Sequence, residues 1–204
     1  MARTSDAKER LLSATIDKIW QHGVASVSVD DLCDAADVRK GSFYHFFKSK
    51  SELVVAAIDW HWSQKMRPWL DGVFSPSVSP IDRFRNYFQQ AYARQVELKQ
   101  KFGQVLGCPL CSIGSGACQN DEAVVLKVRE IMAAYDRYWM TTIRDLLLDR
   151  GDSPDRADEI ADTLEAYMQG VMTQARIKND PEVVRQLETG GLRILGCEVP
   201  KAVA

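Results

Sequence analysis

The amino-acid sequence predicts an all-α fold, a small N-terminal three-helix unit followed by a larger helical bundle, and three observations carry that expectation. Apolar residues recur at three- and four-residue spacing in segment after segment, the period of a helix with one buried face. Serine, aspartate, glycine and proline stand where those segments begin and end, as the unpaired backbone groups of helix termini require. Nowhere do alternating apolar runs flank a two-residue turn of the kind that closes a β-hairpin. With 204 residues, 46% of them apolar, the chain is long enough for two such bodies.

The first helix is expected over residues 6–22, where Leu12, Ile16 and Ile19 share a face and Gly23 is the stop. A second starts after Ser28, whose hydroxyl lies three residues before Asp31 and can satisfy an orphan backbone amide. Val29, Leu32 and Ala36 form its apolar stripe. Asp37 ends it, because aspartate tolerates the left-handed backbone of a sharp turn. A short aromatic helix follows, with Phe43, Phe46 and Phe47 inward and Lys40, Ser42, Tyr44 and His45 outward. Residues 51–70 read as a linking helix rich in bulky groups, among them Leu53, Ile58, Trp60 and Trp62. The serine and proline cluster at 75–80 is the clearest loop. Beyond it, helices are expected at 81–101, at 108–118 as a short one broken by Gly114 and Gly116, at 121–149, at 154–178 and at 181–195. Gly151 is a stop, and Pro154 and Pro181 fit first helical turns, which accept proline.

The most informative stretch is 38–53, VRKGSFYHFFKSKSEL, in which Arg39, Lys40, Lys48 and Lys50 are basic and no acid falls between Asp37 and Glu52. The acids Asp30, Asp31, Asp34 and Asp37 belong to the helix before it. Two short helices joined by a sharp turn, the second apolar inside and cationic outside, make a helix-turn-helix whose second helix enters the DNA major groove.

The pattern Ser28-Val29-x-x-Leu32-x-x-Ala35-Ala36-x-Val38-x-x-Gly41-Ser42-Phe43-Tyr44-x-x-Phe47-x-x-Lys50-x-x-Leu53 resembles the amino-terminal DNA-binding domain of the tetracycline-repressor (TetR) family of bacterial transcription regulators. Gly41 through Tyr44 followed by Lys50 is its most specific part. The resemblance implies a helix-turn-helix domain over 1–50 and a helical ligand-sensing and dimerisation domain over 51–204. It also implies a repressor that binds a palindromic double-stranded operator as a homodimer and is released by a small molecule, an oxidant or an electrophile. Many members have glycine where Asp37 stands and serine where Arg39 stands, so the operator does not follow by analogy. Lys40, Ser42 and His45 are the candidates for base edges, with Arg39 reaching a guanine or a phosphate. Ser28, Tyr44, Lys48 and Lys50 are expected on phosphates, and Gly41 belongs to the same surface.

A net charge of −2 argues against a protein that coats nucleic acid or an anionic membrane nonspecifically. No apolar run approaches the roughly 20 residues that span a bilayer, and the first residues lack the apolar core of a signal peptide. A cytoplasmic protein without a membrane partner is expected, and its five cysteines should then be thiols.

Three of those cysteines, Cys108, Cys111 and Cys118, crowd into GCPLCSIGSGAC. Pro109 at a first helical position places the Cys108 sulfur near a helix amino end, which favours thiolate. Some TetR-like regulators carry a glycine-cysteine pair here and respond to oxidants or electrophiles through it; Gly107-Cys108 resembles that pair. Three readings stay open: small packed residues around a ligand cavity, a redox or electrophile sensor, and a metal site completed by a carboxylate such as Asp121 or Glu122. Cys108-x-x-Cys111 also invites comparison with thiol oxidoreductases, but the strand context of a thioredoxin-like motif is missing. With no phosphate-cradling glycine loop and no serine-histidine-acid arrangement, neither an enzyme nor a cofactor is expected.

For a small-molecule pocket the candidates are Trp62, Met66, Trp69, Phe88, Tyr92, Phe102, Tyr135, Trp139 and Met172, since a helix bundle makes cavities between its helices. Ile160, Leu164, Met168, Val171 and Ala175 form one apolar stripe near the carboxyl end, and Val184 and Leu187 another. Periodicity leaves these as monomer core or as dimer interface. The resemblance favours the dimer.

Overall fold

In the computed structural model, which describes residues 2–117 and 121–197, all regular structure is helical. Helix α1 (Ala2–His22) stops at Gly23, whose φ of 83° suits glycine. Then come α2 (Val29–Ala36), α3 (Lys40–Phe46) and α4 (Lys50–His61). A π-turn, Trp62–Met66, joins α4 to α5 (Arg67–Val73), so the single linking helix expected at 51–70 is interrupted by one wide turn. The rest is α6 (Pro80–Phe102), α7 (Pro109–Ala117), α8 (Glu122–Asp149), α9 (Ala157–Lys178) and α10 (Gln186–Ile194). Pro154 and Pro181 each open a short 3-10 turn that leads into α9 and α10. Cys118 lies outside the described residues.

Gly114 and Gly116 do not break α7. A Cβ on Gly114 would stand 3.0 Å from Val128 Cγ1, so the missing side chain lets α7 lie close against α8. That gain in packing offsets the poor helix propensity of glycine.

The chain divides into two compact units, the residues up to Trp69 with Pro109–Ala133, and Leu70–Cys108 with the residues from Ala134 on. This differs from a boundary at residue 50. Helix α4 packs along α1 and α7 also packs on α1, so both belong with the helix-turn-helix. The first unit's core is Leu11, Ile19, Leu32, Phe43, Leu53 and Val54, all essentially without solvent contact. Sequence reading places Phe46 inward with Phe43 and Phe47, but only those two are buried and Phe46 is half-exposed.

In the second unit α10 packs on α6 and α9. Gly191 makes this possible, because a Cβ there would fall 2.5 Å from the Phe88 ring. Arg83 is buried, yet its guanidinium is satisfied by Asp145 at 2.7 Å and by the Val78 and Pro76 carbonyls.

The carboxyl-terminal stripes need a correction. Leu164, Met168, Val171, Ala175, Val184 and Leu187 are buried within the single chain, and Ile160 is half-buried. They line the chain's own core and offer no free surface to a second copy. The flank of α9 left exposed carries Ala166, Gly170, Thr173 and Ile177, the last 79% exposed. Among the described residues no helix is long and apolar enough to cross a membrane.

Candidate nucleic-acid interface

The turn between α2 and α3 is built from the residues that sequence reading singles out. Asp31 N donates to Ser28 Oγ at 3.1 Å while Ser28 N donates to Asp31 Oδ2 at 2.8 Å, a reciprocal cap that starts α2. The Ser28 hydroxyl and amide hold the Asp31 carboxyl below its usual range. At the other end Asp37 adopts φ 51°, ψ 52°, the left-handed turn, and Val38 N donates to Cys33 O at 3.0 Å. Cys33 is packed in this helix, where burial pushes its thiol up.

Helix α3 then hangs from two rings. Phe43 and Phe47 are 1% and 3% exposed, while Arg39, Lys40, Gly41, Tyr44 and His45 are all exposed and Ser42 is half-buried. Tyr44 stands edge-on to Phe43 yet leaves 60% of its surface in solvent, which is unusual for so large an aromatic group. Gly41 is as informative: a Cβ there would meet nothing within 4 Å. Packing within the chain therefore does not require glycine at 41.

The cations divide by what they already hold. Lys40 Nζ lies 2.7 and 2.9 Å from the two carboxylate oxygens of Asp30, which holds its ammonium above the ordinary lysine range. Both side chains are exposed, so water and salt screen the pair and an outside anion can compete for the ammonium. Lys50, expected on a phosphate, already has backbone partners. It is half-buried and donates to Val24 O at 2.8 Å and Val27 O at 2.9 Å, tying the α1–α2 loop to the start of α4. The Ser28 hydroxyl is likewise committed, donating to Asp31 Oδ2 at 2.6 Å. Lys48 is exposed, and its backbone amide donates to Glu52. On α1, Lys8 sits over the Phe47 ring at 5.6 Å and Arg10 donates to Asp37 O at 3.4 Å, which extends the basic edge.

The candidate sensor residues divide between the two units. Trp62, Met66 and Trp69 fall in the first unit, and Phe88, Tyr92, Phe102, Tyr135, Trp139 and Met172 in the second. Within the second, Phe88, Tyr135 and Trp139 join Phe74, Phe84 and Tyr87 in a continuous cluster of rings. Tyr92 faces outward instead, donating to Glu182 with the Arg185 guanidinium over its ring at 4.2 Å. The Lys101 ammonium stands 4.4 Å from the Phe102 ring centre. Met172 is buried beside Gly107.

The loop that leads to Cys108 is clamped. Gln95, 3% exposed, accepts from Leu106 N at 3.2 Å and Gly107 N at 2.9 Å and donates to Gly107 O at 3.1 Å. Arg176 donates to Leu106 O, and Asn179 accepts from Val105 N at 2.8 Å. Gly107 has φ 71°, and a Cβ there would lie 3.2 Å from Met172 O, so glycine is required twice over. Sequence reading missed Gln95, although a polar residue on the stripe Phe84, Phe88, Ala91, Gln95, Leu98 is a visible signal. Cys108 and Cys111 are half-buried thiols. Asp121, named as a possible metal ligand, accepts from the Ser51 hydroxyl at 2.8 Å and from Val124 N. Among the described residues no three metal-ligating side chains come together.

A cationic, solvent-facing α3 on an apolar base, following α2 through a left-handed turn, defines the class: an all-α helix-turn-helix protein with a second helical body. Residues 11–57 match the model of bacterial regulatory proteins, tetR family, and residues 80–189 match that of the transcriptional regulator LmrA/YxaF-like C-terminal domain. The chain belongs to the TetR family. The transcriptional regulator AcuR of Cereibacter sphaeroides is 31% identical over 121 residues, 56% of this chain and 52% of AcuR. The HTH-type transcriptional repressor NemR of Escherichia coli is 27% identical over 117 residues, 57% of each chain. The chain thus spans about half the length of the curated relatives it matches first. The crystal structure of a regulatory protein TetR from Rhodobacter sphaeroides has the same fold, with a TM-score of 0.81 at 23% identity, covering 92% of this chain and 98% of that one.

Proposed function

We propose that this protein is a DNA-binding transcriptional repressor that occupies a palindromic operator as a homodimer and leaves it when the second unit senses a chemical signal. The observation that carries this reading is the surface of α3. Arg39, Lys40, Gly41, Tyr44 and His45 face solvent together, and Gly41 leaves room for a phosphate backbone to approach. So short a helix reaches few base edges, and two copies on half-sites one or more turns apart supply operator-grade affinity. Because the stripe of Leu164 and Met168 serves the chain's own core, the pairing surface on α9 is the flank of Ala166, Gly170, Thr173 and Ile177. A Cβ on Gly170 would meet nothing within 4 Å, which leaves space for a second helix.

The signal is a small molecule or a thiol-reactive agent acting at Cys108. The clamp of Gln95, Arg176 and Asn179 supports the thiol reading, because a group added to Cys108 strains a loop with little freedom to yield. A population shift follows only if the modified or liganded chain prefers a conformation whose recognition helices no longer match the half-sites.

The test is fluorescence anisotropy against DNA flanking the protein's own gene, with and without hypochlorite, for wild type and Cys108→Ser, beside the mass in solution of wild type and Ile177→Asp. Salt-dependent binding of a dimer, lost in Ile177→Asp, is expected. No binding to any flanking duplex, or a wild-type monomer, overturns the proposal; oxidant release that persists in Cys108→Ser removes the thiol branch.

A further inference from the structure

We propose that the ring cluster of α6, α8 and α9 binds a small uncharged aryl carbonyl compound whose oxygen accepts hydrogen bonds from the Trp139 indole and the Tyr87 hydroxyl. For its biological use this rests on the sensing role proposed above, and it names the ligand chemistry that such a role requires.

The argument begins with an unmet donor. Trp139 is 2% exposed, and its Nε1–H is, among the described residues, the one buried side-chain nitrogen or oxygen without a hydrogen-bond partner. Buried polar groups are paired in the great majority of cases, and an exception marks strain, a function or a missing partner. Trp139 lies among rings, with the Tyr87 centroid at 5.4 Å, Tyr135 at 6.0 Å and Phe84 at 6.1 Å.

A second donor beside it is poorly matched. The Tyr87 hydroxyl donates to Met168 Sδ at 2.9 Å, and a thioether is a weak acceptor. Tyr135 can donate to the Tyr87 oxygen, so the Tyr87 proton remains committed to sulfur. A carbonyl oxygen has two lone pairs in one plane. It can accept from the indole and from the phenol together, exchanging an O–H···S contact for an O–H···O bond and pairing the orphan.

The surroundings select the rest of the ligand. Phe74, Phe84 and Phe88 extend the cluster, and their edge-on and stacked contacts favour a flat aromatic group. Charge is disfavoured. Arg83, one turn before Tyr87, is saturated by Asp145 and two backbone carbonyls, so a carboxylate finds no cation here. Tyr135 is only half-buried, so solvent reaches the cluster on its side.

The test uses full-length protein labelled with 15N at the tryptophan indoles, titrated with acetophenone, with ethylbenzene, which keeps the shape but replaces the carbonyl, and with benzoate. Acetophenone should move downfield the indole resonance assigned to Trp139 by its loss in Trp139→Phe. Ethylbenzene should bind at least about tenfold more weakly, and benzoate weaker still. In Trp139→Phe and in Tyr87→Phe the ratio of ketone to ethylbenzene affinity should fall towards one. Equal binding of ketone and hydrocarbon, binding of neither, or a Trp139 resonance that stays still overturns the proposal, the buried donor then being served by water. The DNA assay is read separately. A protein that binds acetophenone in this way but binds no operator overturns the repressor reading and leaves the site standing, and a repressor indifferent to Trp139→Phe and to acetophenone does the reverse.

Discussion

Lys40 reaches both carboxylate oxygens of Asp30, at 2.7 and 2.9 Å, across the turn that joins α2 to α3. This cation, proposed for a base edge, is therefore held by an acid of the preceding helix, and both groups face the same solvent. Asp30→Asn removes a negative charge from the proposed DNA-facing side and releases Lys40. Binding to unrelated duplex should rise several-fold at low salt and operator binding should rise less, so the specificity ratio narrows. Anisotropy with operator and scrambled duplex across a salt series measures both, and a parallel rise for the two would show that Asp30 sets only the overall field.

Gly41 should separate folding from recognition. It lies in α3 with open space where a Cβ would go, so Gly41→Ala stabilises the free protein by about 0.5–1 kcal/mol through helix propensity. On the proposed DNA-facing surface the added methyl would stand between the helix and the nucleic acid. Operator affinity should fall by roughly tenfold or more, equivalent to ~1.4 kcal/mol or more. Thermal melting and anisotropy on the same preparation read the two effects, and a variant that is both more stable and fully competent for DNA would show that the clearance is idle.

Two lysines close in sequence should behave differently. Lys50 secures the Val24 and Val27 carbonyls, and Lys50→Met should cost about 1–2 kcal/mol of stability as well as affinity. Lys48 is exposed, so Lys48→Ala should leave the melting temperature unchanged, weaken all DNA sequences alike and lower the salt slope by about 1. Equal melting temperatures for the two variants would make Lys50 an ordinary surface cation.

These contrasts mark what was legible in the sequence. The Ser28 cap and the Asp37 turn follow from local chemistry, in which a side chain meets backbone two or three residues away, and both stand where periodicity and capping put them. Long-range partners leave no such trace. Nothing in the spacing of Lys50 announces two carbonyl groups 26 and 23 residues before it. The α9 stripe failed for a related reason: a buried face has the same period whether its cover is the same chain or another, and here the same chain covers it. The π-turn at Trp62–Met66 is invisible because one extra residue per turn barely disturbs an apolar pattern this dense in large side chains. Gln95 was readable, as the polar exception on an apolar stripe, and its function lay in the loop it holds.

The last consequence concerns pH. Asp136 on α8 and Glu165 on α9 are half-buried, and burial pushes both carboxyl groups above their ordinary range, with Asp162 adding repulsion to Asp136, and Asp136 adding it to Glu165. A raised carboxyl means that the folded state binds the proton more tightly than the unfolded chain. The favourable contribution is therefore complete below the unfolded carboxylate range, about pH 4, and is lost as pH rises through the raised value. At pH 7 both acids cost stability. Glu165→Gln keeps an acceptor for Gln169 Nε2 at 2.6 Å and removes the charge, so its melting temperature should exceed wild type at pH 7 by about 1–3 °C, a small gain because both groups keep contact with water. The gap should close as the pH is lowered towards about 4, where wild type carries the proton as well. Melting curves of the two proteins from pH 7 to pH 4 decide the matter, and a gap that stays constant would place the effect in packing rather than in charge.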